Sequence, residues 1–254
     1  MRSFLRFAPK TIFNKNIMPT GPEGHQPPEV RQPLHMLEDL IDHNRHVPDE
    51  YRELILKQKR EYDPMVDATF ADAWKFLYDK IVQQNIFVRE DELEIFQRFF
   101  RQHLQGSNLV DLGGGTMRNP MYDFAKYFQA QLYINVEMPG LQQDWAAYRV
   151  AQKQEQGGDF VAVDLDADML AFVSQMKDGS ANFTLNGIDW AAIGDQRYHR
   201  ALAKELLRVT RPGGLIFGTC SNILKILEEE NFPLRQVKRP GYSTSDMYIW
   251  EKPE

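Results

Sequence analysis

The order of short apolar segments and longer amphipathic segments after Gly106 is the feature that most constrains the fold of this chain. Strands separated by helix-length stretches predict βαβ crossovers, in which helices cover both faces of a parallel sheet. Five runs predict strands, at 108–112, 132–136, 160–163, 182–185 and 215–219, and two short strand-like pieces follow at 237 and 247–250. We therefore predict an α/β, doubly wound, mostly parallel sheet of seven strands.

Residues 34–105 carry a different pattern, in which apolar side chains recur every three or four positions. That spacing places them on one face of a helix, so this region is predicted to contain three or four helices. Asp67 is the predicted N-cap of one of them. The chain therefore divides into a helical region at 34–105 and an α/β domain at 106–254.

The first 33 residues are predicted to be a flexible arm, because they contain six of the fourteen prolines. The first twenty residues are basic and free of acid, and Arg2, Arg6 and Lys10 share a helical face, as in a mitochondrial presequence. A solvated basic tail, or an upstream extension of a chain that starts at Met18, would explain the same pattern. We expect a cytoplasmic protein, with a mitochondrial location as the alternative.

The composition excludes several classes of protein. No apolar run approaches the roughly 18 residues of a membrane span, so we expect a soluble protein. The single Cys220 cannot form an internal disulfide, and no Cys/His cluster offers a zinc site. His35, His43 and His46 do not share a helical face at ligand spacing, so no metal is predicted. The net charge of -6 argues against a surface dominated by nucleic-acid binding.

A glycine-rich loop, Val-Asp-Leu-Gly-Gly-Gly-Thr at 110–116, follows the first predicted strand and precedes a predicted helix at 122–130. Glycines there let the backbone approach a ligand, and the helix N-terminus favours an anionic group. Glu137 ends the second strand about twenty residues later, where a carboxylate binds ribose hydroxyls in doubly wound folds. Two further motifs are Asp-Ala-Asp-Met-Leu-Ala-Phe at 166–172 and Arg-Val-Thr-Arg-Pro-Gly-Gly at 208–214.

These four motifs, in this order, resemble those of the class I S-adenosylmethionine-dependent methyltransferases over residues 106–254. The resemblance implies a Rossmann-like methyltransferase sheet, S-adenosylmethionine as the cofactor and S-adenosylhomocysteine as its product. It also implies that the helical region 34–105 is a substrate lid, with 60–64 as the hinge. One departure is Met117, where the family often has another glycine.

The resemblance also implies roles for individual residues. Asp111 would orient the loop and the methionine amino group, Glu137 would accept the ribose hydroxyls, and Asp166 would lie at the adenine edge. The implied cofactor-binding residues are Asp111, Gly113, Gly114, Gly115, Glu137, Asp166, Ala167 and Asn186. The end of the fourth strand, 186–190, would face the methyl group and the substrate.

Methyl transfer mainly requires alignment of the acceptor with the methyl group and exclusion of water, so a catalytic side chain is not obligatory. The candidate bases are Asp189, on the loop after the fourth strand, and His199, on the next helix. The alternative interpretations are that Asp189 caps a turn and that His199 is a surface helix residue.

The class of acceptor can be narrowed only by the motifs that the sequence lacks. Segment 186–190 is not the Asn/Asp-Pro-Pro-Tyr of adenine amino-methylation, Cys220 has no preceding proline, and no RNA-binding module is recognisable. We therefore expect a small-molecule acceptor. The alternatives are a protein or RNA acceptor contacting the arm and Lys238-Arg239, and an inactive methyltransferase-like assembly or binding subunit. A nicotinamide dehydrogenase is disfavoured because the loop lacks the third glycine of Gly-x-Gly-x-x-Gly.

Overall fold

The computed structural model describes residues 35–61, 90–114, 120–137, 160–185, 195–218, 221–230, 232–237 and 248–254. The predicted arm at 1–33, the helix capped by Asp67 and the single Cys220 lie outside the described residues. Within those residues, no helix has the length and apolar character needed to cross a membrane.

The described elements follow the predicted alternation of strands and helices. The strands are β1 Asn108–Leu112, β2 Leu132–Glu137, β3 Val161–Asp166, β4 Asn182–Leu185, β5 Leu215–Gly218, β6 Arg235–Gln236 and β7 Tyr248–Glu251. The helices are α1 Asp49–Glu61, α2 Glu90–Leu104, α3 Pro120–Tyr127, α4 Met169–Ser174, α5 Gln196–Val209 and α6 Ser221–Glu229, and residues 35–40 are also helical. The third strand runs further than the predicted 160–163, and the sixth lies just before the predicted position 237.

The strands form one seven-stranded sheet in the order β3-β2-β1-β4-β5-β7-β6. The first five are parallel, whereas β7 is antiparallel to both β5 and β6. The predicted α/β, doubly wound, mostly parallel architecture is therefore confirmed. The strand order reverses between β1 and β4, and in open parallel sheets ligands bind outside the carboxyl ends of the strands at such a reversal.

Two hydrophobic cores lie on opposite faces of the sheet. Val110 and Leu112 belong to the first core, whereas Leu109, the residue before Val110, belongs to the second. The first core includes Tyr51 of α1 and the second includes Phe100 of α2. The described parts of the predicted helical region therefore pack against both faces of the sheet, and its role as a substrate lid stays a prediction.

Candidate functional site

The carboxyl ends of the parallel strands meet at one edge of the sheet. Leu112 at the end of β1 pairs with Val136 on one side and with Leu185, the last residue of β4, on the other. Glu137 and Asp166, which end β2 and β3, are also paired. This register lines up the three strand ends that carry sequence motifs, with β1 at the reversal of strand order.

The glycine-rich loop leaves the sheet directly after β1. Gly113 has a φ of 74° and its backbone N–H donates a 3.0 Å hydrogen bond to the carbonyl oxygen of Val136 on β2. That left-handed conformation favours a residue without a Cβ. Gly114 is also described, whereas Gly115 and Met117 lie outside the described residues.

Asp111 lies at the penultimate position of β1, with 0% of its surface exposed. The hydroxyl of Tyr133, on β2, donates a 2.7 Å hydrogen bond to its Oδ2 atom. A buried carboxylate is costly unless hydrogen bonds compensate for the lost hydration, so this contact helps to keep Asp111 in place. Asp111 belongs to the strand that leads into the glycine loop, as predicted.

Glu137 is the last residue of β2 and is 2% exposed. Its carbonyl oxygen accepts a 2.9 Å hydrogen bond from the backbone N–H of Ala167, which follows β3. The backbone pairing of Glu137 with Asp166 places the first two residues of the Asp-Ala-Asp motif beside the end of β2. The structure thus brings the backbones of Glu137, Asp166 and Ala167 together, and their role in binding a cofactor stays a prediction.

A polar row that sequence analysis missed crosses the three strands one step below this edge. Asp111 pairs with Asn135, and Asn135 pairs with Asp164. The Nδ2 atom of Asn135 donates a 3.2 Å hydrogen bond to Oδ1 of Asp164, while its buried Oδ1 has no hydrogen-bond partner among the described residues. The available signal was one polar residue between apolar neighbours near the end of each strand: Val-Asp-Leu at 110–112, Ile-Asn-Val at 134–136 and Val-Asp-Leu at 163–165.

The second aspartate of the Asp-Ala-Asp motif has a structural role. Asp168 is the N-cap of α4, where Oδ1 accepts a 3.0 Å hydrogen bond from the backbone N–H of Ala171. Its Oδ2 accepts a 2.9 Å hydrogen bond from the hydroxyl of Tyr198 on α5. Burial raises the pKa of Asp168 above its usual 3.8, and burial together with the nearby Asp168 raises the pKa of Tyr198 well above 10.

Of the two candidate bases, His199 lies within the described residues and Asp189 lies outside them. His199 lies on α5, is 3% exposed, and belongs to a helix that packs against α4 and α6. Its neighbours Tyr198 and Leu202 belong to the first core, on the sheet face opposite the core that contains Tyr133. Asp189 and Asn186 lie outside the described residues. Roles for these three residues stay predictions.

The Arg-Val-Thr-Arg-Pro-Gly-Gly motif lies before β5, at the amino end of the sheet and away from the glycine loop. The Nη2 atom of Arg211 donates a 2.8 Å hydrogen bond to the carbonyl oxygen of His103, near the end of α2. The Nδ1 atom of His103 lies 2.9 Å from the carbonyl oxygen of Gly213. This motif therefore connects α5, α2 and β5, and its position separates it from the candidate cofactor site.

Among the described residues, no group of three or more His, Cys, Asp or Glu side chains is arranged to hold a metal ion. The imidazole of His35 is 77% exposed and lies 3.8 Å from the carboxylate of Asp39. His43 and His46 are exposed as well.

No protein-family model and no curated protein matches this chain. Similar solved structures include the N-methyltransferase NodS from Bradyrhizobium japonicum WM9, at 16% identity and a TM-score of 0.43 over 68% of this chain and 100% of that chain. A proposed RNA methyltransferase from Pyrococcus horikoshii is 12% identical, with a TM-score of 0.42 over 65% of this chain and 84% of that chain. Precorrin-6y C5,15-methyltransferase from Geobacter metallireducens GS-15 is 12% identical, with a TM-score of 0.39 over 66% of this chain and 91% of that chain.

All three are methyltransferases by name, the family that the motifs of this chain resemble. At TM-scores of 0.43 or less and identities of 16% or less, these similarities do not show the activity or the substrate of this chain. The order and directions of the strands in this chain establish its fold without the comparisons. The chain has the seven-stranded, doubly wound fold that its resemblance to class I S-adenosylmethionine-dependent methyltransferases implied.

Proposed function

We propose that this chain is a class I methyltransferase that transfers the methyl group of S-adenosylmethionine to a small-molecule acceptor. One observation carries the proposal: Asp111, Gly113 and Glu137 lie at the adjacent ends of β1 and β2, beside the reversal of strand order. Each of the three is a residue type that the cofactor would need at that position.

The chemistry of these residues fits the cofactor. Gly113, with its φ of 74°, has no Cβ between the loop backbone and a ligand. Glu137 is held at the end of a buried strand, where a carboxylate can accept two ribose hydroxyls. Asp111 supplies a negative charge opposite a ligand whose amino and sulfonium groups are cationic. Asp166 and Ala167, beside Glu137, would complete the site at the adenine edge.

S-adenosylmethionine supplies, when bound, a methyl group already activated on a positively charged sulfur. The chain therefore has to hold the cofactor, align the acceptor with the methyl group and exclude water. Asp111 and Glu137 would serve the first task. Asn186 and Asp189, which follow β4, would serve the second, and Asp189 or His199 would remove a proton from acceptors that carry one.

The acceptor class rests on the charge and composition of the chain. A net charge of -6 disfavours a large phosphate-binding surface. A small acceptor is consistent with this charge. An RNA or protein acceptor, and an inactive assembly subunit, remain the alternatives that binding and activity measurements separate.

Calorimetric titration with S-adenosylmethionine and with S-adenosylhomocysteine tests the proposal. We expect micromolar binding of both. Replacing Glu137 by alanine should weaken the binding free energy of both ligands by about 1.5–3 kcal/mol, because it removes charge-assisted hydrogen bonds to the ribose. The matched control is Glu228→Ala, since Glu228 is exposed on α6, far along the chain from the strand-end motifs.

Gly113→Val tests the loop independently. A β-branched side chain disfavours the left-handed conformation of Gly113 and would occupy space beside the cofactor, so binding should be lost while circular dichroism stays unchanged. Binding by both variants at the parent affinity would contradict the site assignment. If the parent chain neither binds the cofactor nor shows a thermal shift with it, the inactive assembly subunit becomes the better interpretation.

A further inference from the structure

We infer that Tyr133 is a positioning residue of the cofactor site: through its hydrogen bond to Asp111 it orients that carboxylate toward the amino group of the methionine part. The inference rests on the proposed function, because the contact between Asp111 and the methionine amino group belongs to that proposal. Tyr133 itself lies deeper in the sheet and would not touch the cofactor.

The register of the first two strands explains why Tyr133 reaches Asp111. Leu109 pairs with Tyr133, and Asp111 pairs with Asn135, so Tyr133 lies diagonally behind Asp111, two residues farther from the carboxyl edge. Side chains two residues apart on a strand share a face, which puts both groups on the α3 side of the sheet. The phenol is long enough to place its hydroxyl 2.7 Å from Oδ2 of Asp111.

The ring of Tyr133 is held in place by its surroundings. Tyr133 is 0% exposed and belongs to the second core. The ring of Tyr122, on α3, meets it nearly edge-on, with the centroids 6.1 Å apart and the planes at 83°. A side chain packed in this way has little rotational freedom, so its hydroxyl stays at one position relative to β1.

The hydrogen bond therefore contributes to the orientation of the Asp111 carboxylate. A 2.7 Å contact between a hydroxyl and a carboxylate is short, as charge-assisted hydrogen bonds are. It restricts the rotation of the carboxylate and hence the direction in which Asp111 would meet a cationic amino group. Loss of the hydroxyl would leave the charge of Asp111 in place and remove this orientation.

Tyr133→Phe tests the inference, because it removes the hydroxyl and keeps the ring. The two probes are S-adenosylhomocysteine and 5′-methylthioadenosine, which keeps the adenosine and the sulfur but lacks the amino-acid part. We expect the affinity for S-adenosylhomocysteine to fall about fivefold to tenfold and the affinity for 5′-methylthioadenosine to stay unchanged. An equal loss for both probes would indicate a merely structural role, and no loss for either would also overturn the inference.

Tyr51→Phe is the matched control. The hydroxyl of Tyr51 also donates to a carboxylate, that of Glu205 at 3.2 Å, but it connects α1 to α5 instead of β2 to β1. This variant should bind both probes as the parent does. A selective loss of S-adenosylhomocysteine binding in Tyr51→Phe as well would remove the support for Tyr133.

A double-mutant cycle with Asp111→Asn decides whether the two residues act together. The double variant should bind S-adenosylhomocysteine no more weakly than Asp111→Asn alone, whereas independent effects would add. Asp111→Asn by itself should reproduce the selective loss, which keeps the inference testable even if Tyr133→Phe does not fold. If the parent chain binds neither probe, the proposed function fails and the inference with it. If the parent binds both and the variants show no selectivity, only the inference fails.

Discussion

The hydroxyl of Tyr198, in the first turn of α5, donates a 2.9 Å hydrogen bond to Oδ2 of Asp168, the N-cap of α4. The same hydroxyl accepts a 3.2 Å hydrogen bond from the backbone N–H of Leu170. One phenol thus connects the start of α5 to the start of α4, directly after the strand end that carries Asp166 and Ala167. Helix α4 is short, so its orientation depends on such contacts more than on its own hydrogen bonds.

Tyr198→Phe should therefore destabilise the fold. It removes one hydrogen bond from a partly buried carboxylate and one from a buried backbone N–H, which we expect to cost about 1–3 kcal/mol. Urea unfolding of the parent and the variant, followed by circular dichroism, measures the difference. A change below about 0.5 kcal/mol would show that water or neighbouring groups replace the hydroxyl.

Asp195 should make the stability of the fold depend on pH. It is the N-cap of α5, and the hydrogen bond from Arg197, together with that from Lys57, holds the pKa of its carboxyl well below the usual 3.8. A carboxylate with a lowered folded-state pKa stabilises fully above its unfolded-state pKa, and this contribution is lost as the pH falls through the folded-state value. Asp195→Ala should cost about 1–2 kcal/mol near neutral pH, and the difference should shrink below pH 3.8.

Urea titrations at several pH values check this dependence. The control is Asp39→Ala, because the Asp39 side chain is 69% exposed and lies at 3.8 Å from a histidine on its own helix. Its effect should be small at every pH. A cost of Asp195→Ala that stays constant down to the most acidic pH would mean that the capping geometry matters and the charge does not.

Arg208 closes the carboxyl end of α4. Its guanidinium donates to the carbonyl oxygens of Val173 at 3.0 Å and Ser174 at 3.3 Å, and it pairs with Glu205 at 2.6 Å and with Asp178 at 2.6 Å. The planar fork of an arginine can satisfy these acceptors together, which a lysine cannot do. We expect Arg208→Met to destabilise the fold by about 2–4 kcal/mol, because it leaves helix-end carbonyls and a partly buried carboxylate without this partner.

Arg98→Met is the matched control for Arg208. Arg98 pairs with Glu94 at 2.7 Å on the same helix, but the two side chains are 74% and 72% exposed. Exposed pairs of this kind contribute little, so this variant should unfold at nearly the parent urea concentration. Equal midpoints for both arginine variants would contradict the role of Arg208.

Gly218 ends β5 at the edge where the candidate site lies. Its φ is 151°, and a Cβ at this position would overlap the carbonyl oxygen of Leu185, on the neighbouring strand β4. That oxygen belongs to the backbone of a paired strand, so neither strand can move aside without losing hydrogen bonds. We therefore expect Gly218→Ala to lower the free energy of unfolding by at least about 2 kcal/mol.

Gly106→Asn separates the crowding at Gly218 from the effect of a positive φ. Gly106 has a φ of 67°, but a Cβ there would meet nothing within 4 Å. Asparagine tolerates the left-handed conformation, so this variant should stay within about 1 kcal/mol of the parent. Thermal unfolding of the two variants provides the comparison, and equal losses would rule out the contact with Leu185 as the cause.

The local pattern of residue types was enough to predict the strands at 108–112 and 182–185, which the structure shows as β1 and β4. Strands covered by helices on both faces are mostly apolar, so such short runs stand out from the longer amphipathic helices. Gly113 and Glu137 could be singled out for a similar reason, because each is defined by its position at the end of a strand. Segments with a clear local pattern of residue types could thus be predicted without knowledge of what packs against them.

Contacts between side chains that are distant in sequence were decided only by the tertiary structure. Tyr133 meets Asp111, and Arg208 meets Asp178, because strand register and helix packing bring them within hydrogen-bond distance. A shift of one residue in the pairing of β1 and β2 would turn Tyr133 to the other face, and no local pattern reports that choice. The motif at 208–214 precedes β5 in the sequence, so its place at the amino end of the sheet could be predicted, whereas the hydrogen bond of Arg211 to His103 depends on how α2 packs against the sheet.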